Sequence, residues 1–190
     1  MAQPHNASPH GSALGRLATG AALGLFAGLA LPQARKAVVQ APSLAAGDWV
    51  DALTAEHRMV QKLFDTLLET RHDETARREI LMAKIASALT KHAVEEENVI
   101  YPALTEGGHA DHAHHLVEDH GQMKTYLYDL RRLSARDLEW IGRARQLWTS
   151  LEKHMLEEET TIFPAFRDAL SAEENAKLTK MMHWEGYKVA

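Results

Sequence analysis

The 190-residue chain contains no cysteine. That excludes a disulfide scaffold, thiolate metal ligation, an iron–sulfur cluster and a cysteine nucleophile. Acidic residues are missing from one region: residues 1–47 hold none, and Arg16, Arg35 and Lys36 give that stretch a charge of +3. With a net charge of −5 for the whole chain, the remainder carries −8. A chain this acidic lacks the basic stripe that displaces counterions from a phosphate backbone, so nucleic acid is excluded as a main partner. Strand patterning is scarce, and the 11 glycines are outnumbered by 12 histidines. The length suits one domain with an appendage, and it can bury a core.

The longest uncharged hydrophobic run, Leu17 to Leu31, has 15 residues, short of the roughly 20 that span a bilayer. Gly20, Gly24 and Gly28 recur every fourth residue and line one helix face, which favours close helix–helix approach. Arg35 and Lys36 after the run would keep the larger part in the cytoplasm. Three readings stand for residues 1–47: a hydrophobic helix that associates with a membrane or with itself through 17–31, a cleaved export signal ending near Gly28-Leu29-Ala30, or an apolar tail packed on a domain.

From Asp48 onward the pattern is helical. The first helix is expected over Asp48–Thr70, with Val50, Leu53, His57, Val60, Phe64 and Leu67 on one seam. The second covers Asp73–Tyr101 with Leu81, Ile85, Ala88, His92, Glu96 and Val99. After Gly107-Gly108 a third runs Asp111–Leu133, its seam interrupted by His120. A Ser134-x-x-Asp137 cap pattern opens a fourth, reaching Ala169, with His154 and Glu158 on its seam. Ser171-x-x-Glu174 opens a short closing helix toward Trp184.

The halves repeat. Leu89-Thr90-Lys91-His92-Ala93-Val94-Glu95-Glu96-Glu97 aligns with Leu151-Glu152-Lys153-His154-Met155-Leu156-Glu157-Glu158-Glu159. Ile100-Tyr101-Pro102-Ala103-Leu104 likewise matches Ile162-Phe163-Pro164-Ala165-Phe166. His57 and His120 stand 35 and 34 residues before His92 and His154. Two such helical hairpins predict an all-α fold, an antiparallel up-down four-helix bundle over 48–170. Residues 1–47 then form a hydrophobic N-terminal segment and 171–190 a short C-terminal helix.

At 1.5 Å rise per residue the four histidines fall within about one turn of a common height. Glu96 and Glu158 follow histidines by four, on the same helix face. Inward carboxylates are costly unless compensated, and divalent cations with neutral imidazole ligands supply compensation; a purely structural polar core is the alternative. The metal ligands predicted are His57, His92, Glu96, His120, His154 and Glu158. Nitrogen and oxygen donors without thiolate suit iron, manganese or zinc. Six side chains for two ions make the carboxylates bridges and leave coordination positions open, which favours iron over closed structural zinc.

The motif His57, His92-x-x-x-Glu96, His120, His154-x-x-x-Glu158, with its paired Pro-Ala tails, resembles the hemerythrin-like (HHE cation-binding) domain family over roughly 48–170. The resemblance implies a four-helix bundle with a non-haem di-iron centre bridged by Glu96 and Glu158, binding oxygen, nitric oxide or iron, and a role in oxidative or nitrosative stress. The oxygen carriers of that family have a second histidine four residues from the first on the third helix. Leu116 and Lys124 occupy those places here, which makes the shell more open and turns the reading toward peroxide or nitric oxide. A ferritin-like site needs glutamate three residues before each ligand histidine; Thr54, Leu89, Val117 and Leu151 stand there instead.

Three functions follow: a small-molecule binding or iron-handling module, which is preferred over catalysis; a redox enzyme consuming peroxide or reducing nitric oxide; and an interaction module with a structural metal. Of the possible proton donors, Tyr101 and Tyr126 qualify only if turned inward. Glu95, Glu97, Glu157 and Glu159 are read as a solvated face, with one of them as an extra ligand the alternative, and His109, His112, His114 and His115 as a polar loop in preference to a metal-delivery segment.

Overall fold

Asp48 starts the first helix, because its carboxylate accepts from the backbone N–H of Val50 (3.0 Å) and Asp51 (3.2 Å), two donors that no helical carbonyl can reach. In the computed structural model, which describes residues 45–190, helix α1 then runs Trp49–Leu68. The expectations for 1–44, including the 17–31 helix, lie outside the described residues. Among the described residues no helix is long and apolar enough to cross a membrane.

The chain continues as α2 (Thr75–Glu95), a π-helical turn (Glu96–Ile100) and α3 (Tyr101–Glu106). After Gly108, whose φ of +88° suits glycine, comes α4 (Ala110–Arg132). The second hairpin repeats the pattern with α5 (Leu138–Glu157), a π turn (Glu158–Ile162) and α6 (Phe163–Ala169), and α7 (Ala172–Val189) closes the chain. The described residues are all-helical, with α1 packed on α2 and α5, and α4 on α5.

Both π turns start at the glutamates of the repeated motif, and proline explains them. Pro102 and Pro164 have no N–H to give and their rings crowd the carbonyl four residues back. Each helix widens instead, so that the N–H of Tyr101 reaches the carbonyl of Glu96 and that of Phe163 reaches Glu158, five residues away. Two expected boundaries move. Ser134 caps nothing beyond the N–H of Arg136, and α5 begins at Leu138. The closing helix extends past Trp184 to Val189, behind a capping box in which Ser171 and Glu174 satisfy one another's backbone N–H.

The buried seam of α1 is the expected one: Val50, Leu53, His57, Val60, Phe64 and Leu67. The core divides into two apolar layers. One holds Val60, Phe64, Leu67, Leu81, Ile85, Trp140, Leu147 and Leu151. The other holds Trp49, Leu53, Ile100, Leu104, Leu116, Phe163, Phe166 and Met182. Each large side chain contributes about 1.5–3 kcal/mol on burial, and the histidines and glutamates of the seam lie between the layers, held by both.

Arg78 ties the ends of the two hairpins together. It is buried, donates to Thr70 Oγ1 (2.9 Å) and the carbonyls of Thr70 (3.2 Å) and Ala135 (3.0 Å), and lies over the Trp140 ring. Replacing Arg78 by Met keeps the volume but orphans these acceptors, at about 1–3 kcal/mol for each one left dry. The expected result is a fall in melting temperature of about 5–10 °C, read by thermal circular dichroism. A shift under about 1 °C would show that water replaces the guanidinium there.

Candidate metal centre

Four imidazoles meet between the apolar layers. His57 Nε2 lies 2.9 Å from His92 Nε2, and His120 Nε2 lies 3.2 Å from His154 Nε2. Each glutamate connects the hairpins: Glu96 Oε2 is 3.2 Å from His92 Nε2 and 3.3 Å from His120 Nε2. Glu158 Oε2 is 3.3 Å from His154 Nε2 and 3.5 Å from His57 Nε2. All six side chains are buried, the two glutamates completely. The i, i+4 spacing places His92 with Glu96, and His154 with Glu158, on common helix faces. Their donor atoms form two compact groups, His57–His92–Glu96–Glu158 and Glu96–His120–His154, sharing Glu96.

The other ring nitrogens decide what this arrangement needs. His57 Nδ1 donates to Glu159 Oε1 (2.8 Å), His92 Nδ1 to Glu56 Oε2 (3.2 Å), His120 Nδ1 to Glu97 Oε1 (2.9 Å) and His154 Nδ1 to Asp119 Oδ2 (3.4 Å). Ionised carboxylates only accept, so every Nδ1 carries a hydrogen, and a neutral ring then presents a lone pair at Nε2. With all four rings neutral, two lone pairs would face one another at 2.9 Å and again at 3.2 Å. In addition Glu96 Oε1 and Glu158 Oε2, both buried, accept no hydrogen bond. Uncompensated, this is costly; a cation in each histidine pair removes the conflict, and the carboxylates behind the rings are the usual device for orienting ligating imidazoles.

The titration behaviour points the same way. Burial works against a charged His92, yet Glu96 and Glu56 hold it well above the usual histidine range. Burial, and then the charge of Glu96, drives Glu158 well above the usual carboxylate range. Despite burial, His92 and His120 keep Glu96 well below it. Glu56 is lowered to about 2: burial raises it, but His92 and Lys91 outweigh that. Hydrogen bonds from His120, His57 and His154 likewise lower Glu97, Glu159 and Asp119. Protons on His92 and His120 thus balance the buried charge of Glu96.

Glu97 and Glu159 are therefore not a solvated face but the partners of His120 and His57. Glu95 is also buried, held by the Lys91 ammonium at 2.7 and 2.8 Å. Glu56 and Asp119 are further partners that the seam pattern does not reveal; their signal in the sequence is the acid preceding the first histidine of each half. Tyr101 does turn inward: its hydroxyl lies 2.9 Å from Glu158 Oε1, 3.1 Å from Glu96 Oε2 and 3.2 Å from His120 Nε2. The matching residue of the second half is buried Phe163, so the phenol breaks the pseudo-symmetry. Tyr126 lies instead in the apolar layer, its ring under Arg143. His112, His114 and His115 belong to α4 rather than a loop. Lys124, four residues after His120, pairs with Glu97 at 2.6 Å.

A family model described as the hemerythrin HHE cation-binding domain matches residues 48–166. Among curated proteins, a DNA nickase of Nostoc sp. (strain PCC 7120) is 32% identical over 124 residues, 65% of this chain and 35% of that protein. An uncharacterised hemerythrin-like protein of Schizosaccharomyces pombe is 30% identical over 129 residues, 66% of this chain and 62% of that protein. The chain thus spans less than two thirds of either relative's length. No solved structure matches with significance. A match through the whole repeat, from the cap of α1 into α6, together with a cation-demanding cluster where the repeat puts its histidines, places the chain in the hemerythrin HHE cation-binding domain family.

Proposed function

We propose that the centre holds two iron ions, with His57 and His92 ligating one, His120 and His154 the other, and Glu96 and Glu158 bridging them. The antiparallel four-helix arrangement expected from the repeat would supply one pair from each hairpin. The observation that carries this reading is the facing of the Nε2 atoms in both histidine couples, with every Nδ1 committed to a carboxylate. Imidazole and carboxylate without thiolate suit iron better than a closed zinc site, and bound iron supplies redox chemistry and open positions for a small ligand.

The ligand we assign is oxygen, nitric oxide or peroxide, in the response to oxidative or nitrosative stress. A cavity of about 140 Å³ adjoins the four histidines, lined mainly by Val60, Leu89, Met123, Leu127, Leu151 and Met155, with Glu97 and Lys124 also on it. It has room for a small ligand, up to about the size of benzene. Tyr101 favours a second reading, the peroxide- or nitric-oxide-consuming enzyme. Burial, with the charges of Glu158 and Glu96, raises its phenol well above the usual range, so the hydroxyl keeps its proton beside the bridging carboxylates. Its reach to both glutamates, rather than its acidity, is what fits a proton donor. The nickase activity named for the Nostoc relative is not carried over, since the match covers 35% of that protein.

Anaerobic loading with ferrous iron, followed by desalting, is expected to leave about two ions per chain, as in other di-iron bundles, with an optical spectrum that changes on adding nitric oxide or peroxide. Less than about one ion per chain overturns the di-iron reading. The Tyr101→Phe variant separates binding from catalysis. It should keep its iron while steady-state peroxide consumption falls about 10²-fold or more; unchanged consumption removes the phenol from the chemistry.

A further inference from the structure

The four carboxylates behind the histidines differ in what else they hold. Glu159, Glu97 and Asp119, which accept from His57, His120 and His154, are partly open to water. Glu56, behind His92, is buried. It accepts from Lys91 Nζ at Oε1 (2.5 Å) and from His92 Nδ1 at Oε2 (3.2 Å), so one carboxylate joins an ammonium to a candidate metal ligand. Both oxygens of Glu95 accept from the same ammonium, at 2.7 and 2.8 Å, and Lys91 and Glu95 are buried as well. Helix α7 packs on both α1 and α2, and its His183 feels the charges of Lys91 and Glu56.

The repeat does not reproduce this arrangement. Lys153, the counterpart of Lys91, is exposed. A different lysine serves the second hairpin: Lys124 donates to Glu97 Oε1 (2.6 Å), which also accepts from His120 Nδ1 (2.9 Å). That side chain is 58% exposed, against 3% for Lys91. Water and salt screen an exposed charge, whereas a buried one is screened much less. The charge behind His92 is therefore felt at the centre, and the one behind His120 largely is not.

We propose that Lys91 is a positioning residue that acts through Glu56 on His92 and makes the two metal positions unequal, the His57–His92 position keeping its ion ferrous more readily than the His120–His154 position. The inequality rests on the di-iron reading above, whereas the hold of Lys91 on His92 does not. Two effects of the ammonium have the same sign. A carboxylate behind a ligating imidazole draws on the Nδ1 proton and makes the ring a stronger donor; an ammonium sharing that carboxylate weakens the pull. The positive charge itself, in a layer away from water, favours an ion of lower charge nearby. Reduction adds one electron from a soluble one-electron donor to one ferric ion, with no protein bond made or broken. The residues decide only which position takes that electron first.

The test titrates full-length, iron-loaded protein with dithionite and soluble mediators, following the optical spectrum through both one-electron steps. Lys91→Met keeps the stem and drops the charge. Its higher potential is expected to fall by at least about 59 mV, a tenfold change in the ferric-to-ferrous ratio for one electron, while the lower one moves less. Lys124→Met, whose charge is screened, should change either ratio by less than about twofold. A second reading needs no metal: in the metal-free protein the His92 Nδ1 proton resonance should move downfield in Lys91→Met, because Glu56 then pulls harder on it. Lys91→Gln, which keeps a donor for Glu56 without the charge, is measured in the same way should the methionine variant not fold. Unchanged potentials, or an unmoved His92 Nδ1 proton, overturn the proposal. Wild-type iron content in the same preparation judges the di-iron reading separately, and the proton resonance is read whatever that content is.

Discussion

Glu96→Ala is expected to empty the centre of both ions, whereas His120→Ala should retain about one. Glu96 belongs to both donor groups, while His120 belongs to one, and Glu96 Oε2 stands within 3.3 Å of an imidazole from each hairpin. Structural metal sites with four protein ligands gain about 10–16 kcal/mol in total, so one ligand is worth about 3 kcal/mol, or about 10²-fold in affinity. Loss of Glu96 imposes that on both ions at once, and it removes the charge that offsets them in a dry layer. Loss of His120 imposes it on one. Iron analysis after desalting reads the difference, with far-ultraviolet circular dichroism to show that both variants keep their helices. Glu96→Gln serves as the steric control: it keeps the volume and one oxygen but no charge, and should sit with the alanine variant. Equal iron in Glu96→Ala and His120→Ala would mean that the carboxylate does not bridge.

The contrast between what the sequence reveals and what it hides has a physical basis. His57, His92, Glu96, His120, His154 and Glu158 interrupt apolar seams of 3-4 spacing, and polar residues at buried positions are visible in any amphipathic pattern. Glu56, Asp119, Glu97 and Glu159 each sit one residue from a seam position. A step of one residue turns about 100° around the helix, so they look solvent-facing, yet they lean across to rings on neighbouring helices. Only the three-dimensional pairing of α1 with α2 and α5 shows which ring each serves. Lys91 is hidden for another reason: a lysine is ordinarily exposed, and its burial depends on α7, which is remote in sequence. The repeat predicts symmetry, so the departures from it carry the most information. Tyr101 against Phe163 is visible as a mismatch once the halves are aligned, but its meaning depends on where the side chain ends.

Stripping the ions with a chelator is expected to lower the melting temperature by about 15–30 °C, more at pH 9 than at pH 7. A ligand at about 1,000 times its dissociation constant stabilises by about 4 kcal/mol. Two ions therefore give about 8 kcal/mol, and a domain of this size shifts by about 2–4 °C per kcal/mol. The pH dependence comes from the groups that protonate in place of the metal. His92 and His120 have folded-state pKa values above the ordinary 6.5, because their carboxylate neighbours outweigh burial. Glu158 is raised well above 4.5 by burial and by Glu96. For each of these the folded form binds the proton more tightly than the unfolded chain, so its contribution is complete below the unfolded value and is lost as pH rises through the folded one. His57 and His154 shift downward, chiefly by burial, and weaken the apo-protein only as pH falls below 6.5. From pH 7 to 9, then, the metal-free protein loses proton-linked stability while the metal-bound form, whose ligands are already deprotonated, keeps its own. Differential scanning calorimetry of both forms at the two pH values measures the gap. A gap of only a few degrees, or one that narrows with rising pH, would show that protons and not cations are what the buried layer was built to hold.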